Sequence, residues 1–470
     1  MSIRKPARTR KRHEPPVSIR TPSWIEVGGY KSIRQPVRIE MRPLTLLAGT
    51  NSSGKSSALQ PLLLLKQSLE VPYDPDPLLL DGPHVAFTSL DQILSRGRRK
   101  DSRSDQFYVA FGPRGTKRLR EFLPPPLDVK LAFARASAGR ERLELQIYVR
   151  EPGAERWIRM FPEERSQILA AFGIEDRDVE VKTSRRNLSL YIQISRRRGE
   201  HVLRWYRVPN SFDWVRSILH LPGHRGHRER RYPITKTKRA EHGAFSLVGP
   251  MHPYAASLLL GWQGASADGS MPEDWKERAE ENIERVNRHM KTLGLTWKVL
   301  AKPANAAELE LRVGRMPTAQ QGGAKDLVDI ADVGFGASQV LPVLVALSAA
   351  VPGQMVFVEQ PELHLHPRAQ LALGGVLVEA AKRGVFVVIE THSHLVLRAI
   401  QTKVASGDLK PEEVGLHWFT RDPETGWTSV VRAQVERDGS FGDWPVDFPD
   451  VFAMADRDFI DAVFGQGGAR

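Results

Sequence analysis

The sequence predicts an α/β fold: a mainly parallel sheet carrying a phosphate-binding loop, interrupted by a long β-rich and helical insertion. Three observations predict it. Continuous apolar strands alternate with helical stretches toward both ends of the chain, the pattern of a parallel sheet covered on both faces. A glycine-rich loop follows one such strand and precedes a helix. Between these parts the pattern changes to alternating apolar and polar residues, which suits half-buried antiparallel strands.

Composition supports a globular class. The chain has 470 residues, 41% of them apolar and 26% charged, in the range of a protein with a full core. It has no cysteine, which excludes a disulfide scaffold and thiolate metal sites and suits a cytoplasmic location. No run approaches the roughly 18 apolar residues of a membrane helix, so no membrane partner is expected. The basic N-terminus has no apolar stretch behind it, unlike a secretory signal. The net charge of +13 is unevenly spread. Residues 1–20 hold seven Lys/Arg and one acid, and residues 185–239 hold fifteen Lys/Arg and three acids, a net of +12. The first is expected to be a disordered basic arm. The second is a candidate contact for nucleic acid or another polyanion.

The elements follow in order. Trp24–Val27 and Arg38–Met41 read as two short strands around a turn, and Leu44–Leu47 as a buried strand feeding a loop. Ser56–Leu69 has helical periodicity. Pro124, Pro125 and Pro126 mark a boundary. Beyond them Leu127–Phe133, Leu143–Val149, Val179–Val181 and Leu188–Ile194 alternate as strands do. Trp275–Leu293 reads as an amphipathic helix, opened by Pro272, Glu273 and Asp274 and closed by Gly294. Val340–Ala350 reads as a helix with Pro342 in its first turn, where proline is tolerated. Met355–Val358 is a buried strand, Arg368–Lys382 a helix and Val385–Ile389 a second all-apolar strand. The expected units are the arm (1–20), an N-lobe with the phosphate loop (21–121), the insertion (122–308) and a C-lobe (309–470).

Gly49-Thr50-Asn51-Ser52-Ser53-Gly54-Lys55-Ser56 fits G-x-x-x-x-G-K-[ST]. The glycines let the backbone turn its N–H groups into one concavity. The helix behind offers its positive end to phosphate, which makes Asn51, Ser52, Ser53 and Ser57 contact candidates as well. Lys55 would reach the β- and γ-phosphates of ATP, and the Ser56 hydroxyl would sit on Mg²⁺.

Further on, Met355–Glu359 is an apolar strand ending in carboxylate, followed by Gln360, Pro361 and Glu362. Such a strand delivers an acid toward the metal beside a phosphate loop. His364 and His366 are too few ligands for a metal centre. The strand Val385–Ile389 runs into Glu390, Thr391 and His392, which places His392 just past a strand end, where ligands gather in such sheets. Gly334–Gln339 opens a helix with small residues and a hydroxyl. Gly336, Ser338 and Gln339 there form a second candidate anion site, able to cap a neighbouring chain's nucleotide.

The set GTNSSGKSS, DVGFGASQVLP, VFVEQPELHLHP and ETHS resembles the ABC-type ATPases related to the OLD and SMC proteins. It is similar in particular to the AAA-named, ABC-like ATPases of bacterial anti-phage and DNA-maintenance systems. The resemblance covers 24–121 and about 309–450, and the tail DGSFGDWPVDF from Asp438 fits one standalone branch. It implies an ABC-type P-loop ATPase head and a head-to-tail homodimer, or higher oligomer, with ATP sandwiched between subunits. The signature Gly334–Gln339 would meet the partner's γ-phosphate, and His392 would be the switch histidine. Glu359 would be the Mg²⁺-side acid, together with Ser56 and a glutamine for which Gln92 is the candidate. Gln360 departs from the family's pattern: it stands where the catalytic glutamate is usual, and a glutamine cannot accept a proton. Glu362 is the candidate replacement, and slow hydrolysis would make ATP a clamp.

Three functions compete. A defence or DNA-maintenance ATPase would act through a separate effector, a nuclease or a toxin. A transporter ATPase is disfavoured because about 280 residues separate Lys55 from Ser338. A nuclease within the chain is disfavoured because few residues follow His392, Ser393 and His394, and Asp456 and Asp458 lack an acidic cluster. The stretch Leu221–Tyr232, with Arg228, Arg230 and Arg231, resembles a segment near the ATP-bearing face and is a candidate phosphate or nucleic-acid contact.

Overall fold

The computed structural model describes residues 21–442, 457–458 and 460–462, apart from 74–76, 98–102, 115–126, 137–141, 163–164, 172–178, 197–201, 209–211, 226–228, 236–246, 268–272, 317 and 319–325. The basic arm, the three prolines at 124–126, Arg228 and Asp456 therefore lie outside the described residues.

The chain opens with β1 (Trp24–Gly28), β2 (Val37–Glu40) and β3 (Leu44–Gly49), then α1 (Lys55–Glu70). Next come β4 (Gln106–Gly112), β5 (Asp128–Arg135), β6 (Leu143–Arg150), β7 (Ile158–Phe161) and α2 (Arg165–Ala171). The antiparallel strands β8 (Val179–Arg186), β9 (Ser189–Arg196) and β10 (Val202–Val208) precede α3 (Asp213–Arg216), β11 (Leu219–Leu221) and β12 (Tyr232–Pro233). Two helices, α4 (Ala255–Ala267) and α5 (Glu273–Thr292), lead to β13 (Val299–Pro303), β14 (Glu308–Gly314) and β15 (Leu327–Asp329). The last part runs α6 (Phe335–Ala349), β16 (Met355–Glu359), α7 (Pro367–Lys382), β17 (Phe386–Thr391), α8 (His394–Ala405), β18 (Val414–Arg421) and β19 (Thr428–Ala433).

The central sheet has the order β11-β16-β17-β3-β18-β19. Its first five strands are parallel and β19 is antiparallel. Its inner strands β3, β16 and β17 are largely apolar because both faces are covered, whereas the edge strand β19 is half polar and half exposed. The pleat sends alternate residues to opposite cores. Leu44, Leu46, Val356, Val358, Val387 and Ile389 join a cluster with residues of α4, α6, α7 and α8. Leu47, Met355, Phe357 and Val388 face the other way, onto α1 and the antiparallel sheet β2-β1-β4-β5-β6-β7. A three-stranded sheet β10-β9-β8 and a small sheet of β12 to β15 complete the described strands.

Two differences from the sequence reading matter for the site. Pro342 is not in a first turn: α6 starts at Phe335, so Pro342 lies inside it. The residues Gly336–Gln339 are themselves helical, and proline leaves the Ser338 carbonyl without its i+4 partner. The stretch between the lobes also does not stay apart from the head. β5 to β7 extend the sheet begun by β1 and β2. β11, from the midst of 122–308, is the edge strand beside β16, with Leu219 opposite Val356 and Leu221 opposite Val358. Among the described residues no helix is long and apolar enough to cross a membrane.

His417 on β18 is buried, with Nε2 3.4 Å from the Glu40 carbonyl. Burial pulls its pKa down to about 4, against the pull of that carbonyl. The unfolded chain then takes up a proton below pH ~6.5 that the folded one refuses, so stability falls as pH drops toward 4, by about 1 kcal/mol per pH unit for one such group. Denaturant melts from pH 7 to pH 4 should show this slope, and it should flatten in His417→Gln, whose amide can still donate to Glu40. An unchanged slope would contradict the assignment.

Candidate active site

The loop after β3 is held in shape before anything binds it. Gly54 takes φ +99°, and a Cβ there would lie 2.3 Å from Thr428 Oγ1, so only glycine fits. The Thr428 hydroxyl donates to the Ser53 carbonyl (2.8 Å), and Arg421 Nη1 donates to the Ser52 carbonyl (3.3 Å). The β18–β19 hairpin thus braces the loop from the side. Gly54 is the N-cap of α1 and no side chain caps that end, which leaves the first N–H groups of the helix for an anion. Lys55 is buried at the base and donates through Nζ to the carbonyls of Gly49 (3.1 Å) and Thr50 (2.6 Å). Burial lowers its pKa to about 8, opposed by Glu390 and Glu362.

A pocket of about 650 Å³ opens over this loop, within the range of ligand sites. Asn51, Ser52, Ser53, Gly54, Lys55, Ser56 and Ser57 line it together with Gln92, Gln360, Glu390 and His392. Lys31, Gln60, Asp91, Arg96 and Arg421 line it as well, and sequence reasoning named none of them for this role. They come from a turn, a helix face and a hairpin that only the tertiary fold brings together. Glu359 and Glu362, and the signature residues Gly336, Ser338 and Gln339, are not among the lining residues.

Parallel register explains the split. Glu359 on β16 is opposite Glu390 on β17, and Thr391 on β17 is opposite Ala48 on β3. β17 therefore stands between the phosphate-loop strand and β16. Glu390 Oε1 accepts from Ser56 Oγ at 3.0 Å. Burial pushes its pKa up to about 7, with Ser56 pulling the other way and Glu359 adding to the rise. Glu362 Oε1 accepts from Thr391 Oγ1 (2.8 Å) and from the His392 N–H (2.9 Å), and burial raises its pKa too. The second oxygens of Glu362 and Glu390 are buried without a hydrogen-bond partner. His392 also meets Gly49, while burial and then Lys55 hold its pKa low.

Glu359 is engaged elsewhere. His220 Nε2 lies 3.3 Å from its Oε1, and the Gly223 N–H donates to its Oε2 at 3.1 Å. Burial pushes its pKa up, but these partners and Arg225 outweigh burial and hold it below the usual carboxylate range. His220 Nδ1 meets His84 Nδ1 at 3.0 Å, and His84 Nε2 meets Glu70, which pairs with Lys66 at 2.6 Å. Burial pulls the pKa of His84 down to about 4, with Glu70 pulling the other way. A buried line of ionisable groups thus joins the back of α1 to Glu359.

Arg225, also buried, donates to the carbonyls of Pro222 (3.0 Å), Gln360 (2.8 Å), Gln339 (3.3 Å) and Glu359. It fastens the first turn of α6 to the end of β16. Gln360 follows at φ +46°, a conformation that costs a non-glycine residue on the order of 1 kcal/mol and marks a constrained site. Arg230 pairs with Asp332 and Arg231 with Glu310, so two of the three arginines suggested for an anion are already matched. His366 caps α7 through Nδ1 to the Arg368 N–H.

The donors facing the pocket are a hydroxyl, an amide and carboxylates, hard oxygen groups that suit Mg²⁺. Among the described residues no group of three or more His, Asp or Glu forms a self-sufficient metal site. The orphaned Glu390 oxygen, on the carboxylate that accepts from the Ser56 hydroxyl, fits an open ligand position for Mg²⁺.

Replacing Arg225 by Ala leaves four buried or partly buried carbonyls without their donor. A loss of about 3 kcal/mol or more is expected in urea unfolding, with Arg225→Lys intermediate because it keeps the charge without the fork. A loss under about 0.5 kcal/mol, the range of ordinary surface changes, would contradict the clamp.

Three solved structures are similar in outline. One is a crystal structure of the SmcHead bound to the C-winged helix domain of ScpA, at 13% identity and TM-score 0.47, covering 88% of this chain and 98% of that one. The SMC head domain from Thermotoga maritima aligns at 11% identity and TM-score 0.38, covering 88% and 99%. The Smc head domain with an extended coiled coil, bound to the C-terminal domain of ScpA derived from Pyrococcus furiosus, aligns at 12% identity and TM-score 0.44, covering 93% and 99%. No curated protein matches the sequence. The family described as "AAA domain, putative AbiEii toxin, Type IV TA system" matches residues 44–398, well over half of the chain and the whole span from β3 into α8. With a braced phosphate loop inside that span, the chain belongs to this AAA-domain family.

Proposed function

We propose that the protein binds ATP with Mg²⁺ over the loop Gly49–Ser56 and hydrolyses it slowly, as an ABC-type ATPase. The observation that carries this is the convergence of Lys55, Ser56, Gln360, Glu390 and His392 on one pocket. The α1 N-terminus and loop amides would cradle the β- and γ-phosphates, with Lys55 turning from the loop carbonyls to phosphate oxygen. Mg²⁺, when bound, would offset phosphate charge, held by Ser56, a strand-end carboxylate and Gln92. His392 would sense the γ-phosphate. Gln360 can orient an attacking water but cannot take its proton, which supports a slow, clamp-like cycle.

Gly336, Ser338 and Gln339 would serve a second subunit's nucleotide in a homodimer or higher oligomer, a reading that rests on the resemblance of the motif, since Ser338 and Gln339 are buried in α6 and the Ser338 hydroxyl donates to the Phe335 carbonyl. The family's description names a toxin of a type IV TA system. A setting in anti-phage defence or DNA maintenance, with a separate nuclease or toxin as effector, rests on the resemblance of the motifs. The net +12 of residues 185–239 supports a polyanionic partner such as nucleic acid. A soluble cytoplasmic setting accords with this reading.

Lys55→Ala should weaken ATP binding by about tenfold or more in equilibrium titration. Wild-type affinity in that variant would refute the nucleotide site. Gln360→Glu should raise steady-state ATP turnover by about 10²-fold, the low end of general-base catalysis. Turnover equal to wild type would show that Gln360 does not occupy the base position.

A further inference from the structure

We propose that Glu390, rather than Glu359, is the carboxylate that meets the nucleotide's Mg²⁺. This rests on the reading that the pocket takes ATP with Mg²⁺. The strand order supplies the first argument. Neighbouring strands stand about 4.8 Å apart, so β16 is about 10 Å from β3 while β17 is adjacent to it. With Glu359 and Glu390 at equal height along their strands, Glu390 is one strand nearer to Ser56.

The hydrogen bonds supply the second. Glu390 Oε1 already shares the Ser56 hydroxyl, and its Oε2 is buried without a partner. Glu390 is 6% exposed and lines the pocket beside Lys55, Gln92 and Gln360. A buried carboxylate oxygen with no donor is costly to maintain, and a hard cation bridging it to Ser56 would remove that cost. Glu359 has no such vacancy. Its two oxygens take His220 Nε2 and the Gly223 N–H, and Arg225 holds its carbonyl. Its geometry fits a brace for the strand end. Glu390 thus serves the metal from the switch strand, directly before Thr391 and His392, so metal occupancy and the position of His392 share one backbone.

The test uses Mn²⁺ as probe, titrated by EPR into the full chain with a non-hydrolysable ATP analogue, alongside binding of the analogue in EDTA. Glu390→Gln is isosteric and its amide oxygen can still accept from Ser56, so the fold is expected to hold. It should weaken Mn²⁺ by tenfold or more, at least the effect of losing an outer-shell partner. Analogue binding in EDTA should stay within about twofold, an energy near 0.4 kcal/mol. Glu390→Asp, which keeps a carboxylate, should retain more Mn²⁺ affinity than Glu390→Gln. Glu359→Gln should leave Mn²⁺ affinity within about twofold while lowering the melting temperature. Wild-type Mn²⁺ affinity in Glu390→Gln, or a loss confined to Glu359→Gln, overturns the proposal. Wild-type protein that binds no analogue, or a Lys55→Ala variant with full affinity, would instead remove the nucleotide reading beneath it.

Discussion

The placement of β17 between β3 and β16 is the constraint on which the site depends. Parallel strands in register bring their carboxyl ends to one level, and each strand contributes one chemically distinct end. β3 gives the phosphate loop, β17 gives Glu390 and His392, and β16 gives Glu359 and Gln360. Because the strands are buried on both faces, a slip of one residue would exchange the two cores and turn every polar end away. The apolar runs of these strands therefore fix the chemistry as well as the fold.

A second layer of control sits behind the strand ends. Arg225 ties the α6 N-terminus to β16, and the His220–His84–Glu70–Lys66 line ties β16 to α1. The phosphate-loop helix α1, the carboxylate strand β16 and helix α6 are thereby linked through buried and partly buried directional contacts. Such contacts are electrostatically stronger in a low-dielectric interior than in water. The segment that supplies Arg225 and His220 also supplies β11, so the linkage is built from the stretch between the two lobes.

Much of the head was legible in the sequence. The apolar strands at Leu44, Met355 and Val385 and the loop ending in Lys55-Ser56 have local signatures: continuous burial, glycine spacing, a helix start. His392 could be placed because it follows a strand end. Glu390 could not, because its role arises from which strand lies beside β3, and strand order is not a local property. The same holds for Lys31, Arg96 and Arg421, which reach the pocket from separate turns. α4 escaped notice because it is apolar nearly all round and lacks the two-faced pattern of α5. Pro342 misled because a proline ordinarily marks a helix start, whereas here the helix runs through it in a fully buried setting.

The three residues Leu219–Leu221 carry a last consequence. A domain spliced into a loop can usually be shortened, exchanged or lost without harm to its host. Here the intervening chain is stitched into the host as an outer strand, and its next few residues grip Glu359 and Gln339. Deletion of the whole stretch would remove the sheet's border strand. The strand that ends beside the phosphate loop's pocket therefore owes its outer neighbour, and the donors at its tip, to residues from the middle of the chain.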